Sequence, residues 1–113
     1  MNILFLCTAN INRSKSAEVL FTSIGGNNLY KSAGLSAKYT AIYGSTLCTE
    51  ELLEWADEVY VFEKMHTDRI IEHTGDIFRH KIINVDILDR FKFMVEELLG
   101  LLKQKLLLLI DIT

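Results

Sequence analysis

No proline occurs anywhere in the 113 residues, so no turn or helix start is stiffened by a pyrrolidine ring. Cysteine is almost as scarce. Two residues, Cys7 and Cys48, are too few and too oddly placed for a disulfide scaffold. Positive charge is also in short supply. Twelve Lys and Arg against fifteen Asp and Glu leave a net charge of −3 and a pI of about 5.6. The chain therefore has no basic field for nucleic acid or an anionic membrane surface, and any anionic ligand must be held by a local site. No apolar run approaches the roughly 18 residues of a membrane span. The N-terminal stretch Met1 to Cys7 lacks the basic segment of a secretion signal, which predicts a cytoplasmic protein. Half the residues are hydrophobic, enough for a proper core.

Periodicity supplies the architecture. Ile3-Leu4-Phe5-Leu6 is a short buried strand, followed by a polar loop. Ala17, Leu20, Phe21 and Ile24 then fall on one face of a helix, which Gly25-Gly26-Asn27-Asn28 stops. Leu29 to Ala33 is a second strand, closed by Gly34. Residues 35–48 carry no clear period and read as a loop with a helical turn. Thr49 caps a short helix whose Leu52, Leu53 and Ala56 face inward. Val59 to Phe62 reads as a strand buried on both faces. A helix over Thr67 to His73, a strand over Lys81 to Val85, an aspartate-bearing loop and a helix from Glu96 to about Leu109 complete the chain. Strands alternating with helices predict an α/β fold, a single three-layer domain over residues 1–113. Its four-stranded parallel sheet would carry helices on both faces.

The chemistry concentrates after the first strand, in Cys7-Thr8-Ala9-Asn10-Ile11-Asn12-Arg13-Ser14. In an open parallel sheet this loop lies at the carboxyl edge, where ligands bind. A loop curling into a helix start aims successive N–H groups at an anion, and the helix terminus adds partial positive charge. Arg13 offers a fork for two phosphate oxygens. In that field Cys7 is favoured as thiolate, a nucleophile aimed at phosphorus. Asp89 follows the fourth strand, so parallel topology brings it to the same edge as Cys7.

These residues resemble the low-molecular-weight protein tyrosine phosphatases, whose pattern is close to V-x-F-V-C-x-G-N-x-C-R-S-P-x-A-E. The chain reads Ile3-Leu4-Phe5-Leu6-Cys7-Thr8-Ala9-Asn10-Ile11-Asn12-Arg13-Ser14-Lys15-Ser16-Ala17-Glu18. Lys31 to Gly34 resembles the family's S-A-G segment, Trp55 to Glu63 its A-D-x-I-x-V-M stretch, and Asp86 to Phe91 its D-I-x-D-P-Y loop. The resemblance spans nearly the whole chain and is nearest to a compact, bacterial-type branch. It implies hydrolysis of a phosphotyrosyl protein or a small aryl phosphate, without cofactor or metal. Cys7 would be the nucleophile and Asp89 the general acid. Arg13 and the amides of residues 8–14 would bind the phosphoryl oxygens, Ser14 would donate to the thiolate and the leaving sulfur, and Asn10 and Ser32 would hold the loop. Asp86 competes for the acid role, but the spacing from Asp89 to Phe91 matches the family loop. Phe91 and Phe93 either wall a slot for the substrate ring or fill space against the last helix.

The departures carry expectations of their own. Ala9 replaces the family glycine, so that position must avoid positive φ or carry strain. Asn12 replaces a second cysteine that can shelter the nucleophile in a disulfide. Lys15 and Arg90 replace prolines, which predicts a looser site and a slower enzyme. Ile11 is the phosphotyrosine-type residue at its position, where phosphoarginine members carry threonine.

Other readings compete. One is a phosphatase of another phosphoester or of phosphoarginine. Another is a phosphate- or phosphopeptide-binding module whose catalysis has decayed. A sugar-transport phosphocarrier also uses a cysteine after its first strand, but Arg13 counts against it. An arsenate reductase needs two resolving cysteines, and only Cys48 remains. His66, His73 and His80 stand seven apart, a poor spacing for metal ligands, and read as solvated. Cys48 reads as a buried small hydrophobe and Trp55 as packing beside the third strand. Leu98-Leu99, Leu101-Leu102 and Leu106 to Ile110 are too apolar for a one-faced surface helix. That tail either crosses the core edge or pairs with a second copy as a homodimer.

Overall fold

The computed structural model describes residues 1–112. Four strands, β1 (Asn2–Cys7), β2 (Leu29–Gly34), β3 (Glu58–Val61) and β4 (Ile82–Asn84), form one all-parallel sheet in the order β2-β1-β3-β4. Five helices connect and follow them: α1 (Arg13–Ile24), α2 (Ala37–Tyr43), α3 (Glu50–Trp55), α4 (Lys64–Thr74) and α5 (Glu96–Leu106). This is the expected three-layer α/β arrangement.

Strand alternation divides the core in two. Ile3, Phe5 and Cys7 of β1, with Tyr60 and Phe62, pack under Ala17, Leu20 and Phe21 of α1 and the leucines of α5. Leu4, Leu6, Ala33, Val59 and Val61 face the other way, against Leu53 of α3, Ile70 of α4 and Phe78. Strands buried on both faces have no polar side to write into sequence, hence the continuous runs Ile3–Leu6 and Val59–Phe62.

The leucine-rich tail crosses the core edge. Leu98, Leu102 and Leu106 are fully buried at four-residue spacing, with Ile110 continuing the stripe. Truncating Leu102 to alanine should cost about 2–5 kcal/mol. The helix ends at Leu106 rather than near Leu109, and Leu108 stays 87% exposed. Ile24, expected inward, is also exposed, because α1 ends there and Gly25 turns the chain at φ 87°.

Other boundaries move for local reasons. Residues 37–43 form a true helix rather than a single turn. The Ser36 side chain accepts from the Tyr39 N–H, and Gly44 closes it in the left-handed region at φ 65°. It buries only Thr40, so it writes no apolar stripe. Helix α4 starts at Lys64, three residues before the expected Thr67, because Glu63 caps it. The fourth strand shortens to Ile82–Asn84, with Arg79–Lys81 forming a 3₁₀ turn ahead of it.

Candidate active site

Strand order places the site. The chain leaves β1 toward β2 on one side and leaves β3 toward β4 on the other, so a crevice opens between the carboxyl ends of β1 and β3. Cys7 is the last residue of β1, and Glu63 and His66 follow β3 directly.

The loop from Thr8 to Asn12 is held from outside. The Cys7 carbonyl accepts from the Leu35 N–H at 2.9 Å and the Thr8 carbonyl from the Ser36 N–H at 3.0 Å. The Ala9 carbonyl accepts from Ser45 Oγ at 2.5 Å. In a trans peptide the following N–H points opposite to the carbonyl. The N–H groups of Thr8, Ala9 and Asn10 therefore point to the opposite side. Gly34 permits the approach, since a Cβ there would stand 2.7 Å from both the Thr8 carbonyl oxygen and the Thr40 methyl.

Ala9 avoids positive φ; Asn10 takes the left-handed turn instead, at φ 57°, a conformation asparagine tolerates. Its side chain faces inward. Asn10 Nδ2 donates to Ser14 Oγ at 2.8 Å and to Ser32 Oγ at 2.9 Å, and its Oδ1 accepts from the Thr46 N–H at 3.3 Å. Ser32 in turn donates to the Glu18 carboxylate. The Cys7 sulfur lies 2.9 Å from Ser14 Oγ, at the end of this buried chain.

Arg13 is 1% exposed. One terminal nitrogen donates to Glu63 Oε2 at 2.7 Å and to the Ile87 carbonyl at 2.9 Å. Its Nε has no hydrogen-bond partner among the described residues, although Asp89 Oδ1 lies 3.7 Å away. A buried charged donor without an acceptor costs upwards of about 1–3 kcal/mol, which a bound oxyanion would remove.

His66, read from sequence as solvated, is fully buried. Its Nδ1 accepts from the N–H groups of Phe62 at 3.3 Å and Glu63 at 3.1 Å. The ring proton is thereby fixed on Nε2, which donates to Thr8 Oγ1 at 3.1 Å. Burial, reinforced by the Arg13 charge, lowers its pKa to about 4, so the ring is neutral at pH 7. The start of α4 thus braces both ends of the loop, Thr8 through His66 and Arg13 through Glu63.

The cleft holds about 530 Å³ and is lined by Cys7, Thr8, Ala9, Ile11, Asn12 and Arg13, by Tyr39 and Tyr43 of α2, and by residues 89–92. Among the expected residues, the structure brings Cys7, Arg13, Asp89 and Phe91 together here. Asn10, Ser14 and Ser32 stand behind the loop. Asp86 is not among the lining residues, and neither is Phe93, which is nearly half exposed. Cys48 is half-buried beside a different pocket, not enclosed, and burial pushes its thiol up to about 12. Glu63, His66, Tyr39 and Tyr43 escaped the sequence reading. The signals were present, as Glu63 and His66 at capping-box spacing after a strand, and two tyrosines one helical turn apart.

Cys7 and the unpartnered Nε of Arg13 line one cleft, so an oxyanion held there by the loop would face the Cys7 sulfur. A thiol so placed defines the class: a cysteine-dependent phosphatase. No protein-family profile matches the chain, and no curated protein does. Solved structures do. A low-molecular-weight protein tyrosine phosphatase from Bacillus subtilis is 30% identical over 92% of this chain and 93% of its own, with a TM-score of 0.71. A mutant of the YwlE arginine phosphatase with a phosphorylated active-site serine is 28% identical over 92% of each chain, with a TM-score of 0.73. SP-PTP from Streptococcus pyogenes shares the fold at a TM-score of 0.76 and 16% identity, over 97% of this chain and 93% of its own. The chain belongs to the low-molecular-weight protein tyrosine phosphatases. Among the described residues no helix is long and apolar enough to cross a membrane.

Proposed function

We propose that the protein hydrolyses phosphotyrosine, in proteins or as small aryl phosphates, through a phosphocysteine intermediate. The observation that carries this reading is the meeting of Arg13 and Asp89 at 3.7 Å beside the Cys7 loop, which gathers nucleophile, anion holder and acid around one cleft. Cys7 Sγ attacks phosphorus in line as the bond to the aryl oxygen breaks. Asp89 gives its proton to the departing oxygen. Water then attacks the phosphocysteine while Asp89 takes up its proton. The S–P bond breaks, and thiolate and inorganic phosphate are left. Arg13 and the loop amides of residues 8–14 bind the equatorial oxygens in both steps, which suits a reaction that needs mainly positioning and charge stabilisation. Ser14, held by Asn10, which also bonds Ser32, donates to the sulfur and favours its departure as thiolate.

The ring fits between Ile11, Tyr39, Tyr43 and Phe91. An apolar Ile11 suits an aryl group and offers no hydrogen bond to a guanidinium, so phosphotyrosine is favoured over phosphoarginine. The test is release of phosphate from phosphotyrosine by the purified protein and its Cys7→Ser variant. Turnover by the wild type and none by the variant is expected. Undiminished turnover by Cys7→Ser overturns the reading.

A further inference from the structure

The mouth of the cleft differs in charge from the rest of the molecule. The chain carries a net charge of −3, yet of the charged residues lining the cleft three are cations (Arg13, Arg90 and Lys92) and one is an acid, Asp89. Asp89 is already faced by Arg13. The strand order sets two walls on either side of the Cys7 loop: α2 on the β2 side and the segment after β4 on the other. Each wall carries an aromatic ring with a cation on its face. The Lys38 ammonium lies 5.5 Å from the Tyr39 ring centroid, and the Arg90 guanidinium 4.9 Å from that of Phe91. Both Lys38 and Arg90 are exposed. Among the described residues Arg90 forms one ion pair, with Glu97 at 3.5 Å, and both side chains are about two-thirds exposed. A substrate carboxylate can replace so screened a contact at little cost. Lys92 is exposed and makes no ion pair among the described residues.

We infer that Lys38, Arg90 and Lys92 form an anion-binding rim that selects phosphotyrosines flanked by acidic residues on both sides. The inference rests on the phosphatase reading above and adds the substrate's sequence context to it. A ring seated between Tyr39 and Phe91 leaves its peptide backbone at the rim, where neighbouring carboxylates meet one cation on each wall and Lys92 beside them. Exposed pairs are each worth roughly a two- to fivefold change in affinity, so the three together give about a tenfold or greater preference, weakened by salt.

The test compares kcat/KM on two phosphotyrosyl peptides of equal length, one flanked by Asp and Glu, the other by Lys. Phenyl phosphate serves as a third substrate. Wild type and the exposed double variant Lys38→Glu/Lys92→Glu are measured at low and high ionic strength. The acidic peptide is expected to lead by about tenfold in the wild type, the lead shrinking with salt. In the double variant the order should reverse. Equal kcat/KM for the two peptides overturns the inference, and so does a preference that the double variant keeps. Failure of wild type to hydrolyse phenyl phosphate would instead strike at the phosphatase reading itself.

Discussion

Acidification should remove about 3 kcal/mol of stability through one side chain, His66. The ring is fully buried, and its Nδ1 accepts from the N–H groups of Phe62 and Glu63. Protonating that nitrogen breaks both bonds and puts a second buried positive charge near Arg13. Burial and then the Arg13 charge move its pKa from 6.5 to about 4, partly opposed by the Glu63 carboxylate. Each pH unit of that displacement corresponds to about 1.36 kcal/mol, which gives the total. The sign follows from proton counting. Between about pH 4 and 6.5 the unfolded chain binds a proton at this histidine that the folded chain refuses. The contribution is whole above pH 6.5, falls as pH drops through that window, and declines no further below about 4. Urea unfolding followed by circular dichroism measures it, on wild type and His66→Gln at several pH values. The glutamine can accept a backbone N–H but does not titrate. The stability difference between the two proteins should narrow by about 3 kcal/mol from neutral pH to about 4. A difference independent of pH, or an NMR titration of His66 centred near 6.5, refutes the reasoning.

Three other outcomes are expected. Asp89→Asn should slow phenyl phosphate by roughly 10²–10⁴-fold in single-turnover kinetics and the nitrophenyl ester much less, while Asp86→Asn should show no leaving-group dependence. The reverse pattern would move the acid to Asp86. Glu63→Gln loses the charged partner of Arg13 at 2.7 Å and should lower kcat/KM by about tenfold to a hundredfold. Kinetics equal to wild type would show that Arg13 needs no such anchor. Prolonged peroxide should inactivate the enzyme irreversibly, because Asn12 provides no neighbouring thiol and Cys48 is a poor nucleophile with its thiol pushed up to about 12. Full recovery with dithiothreitol would contradict this.

What the sequence made legible was local or topological. Cys7 and Arg13 lie six positions apart between a strand and a helix, so the loop could be read directly. Asp89 lies far away in sequence, but parallel strands bring their carboxyl ends together. The brace from Glu63 and His66 depends on β1 and β3 being adjacent. The capping-box spacing from Glu63 places His66 at a helix start but does not show that it is buried, since its neighbours Met65 and Thr67 are partly or largely exposed. Helix α2 buries one threonine and so shows no apolar period; its marks were the Ser36 cap and Gly44. Phe91 stands two positions after Asp89, where the family loop carries its aromatic residue, and it lines the cleft; nothing in the local sequence shows that Phe93, two positions further on, is left out of it.

The most direct measurement is a rapid acid quench during turnover of an aryl phosphate, followed by mass spectrometry of the peptides. Phosphorylated Cys7 should rise within the first turnover and vanish as substrate is exhausted, with no adduct on Cys48. Turnover with Cys7 unmodified throughout, or persisting in Cys7→Ala, would contradict the phosphocysteine route.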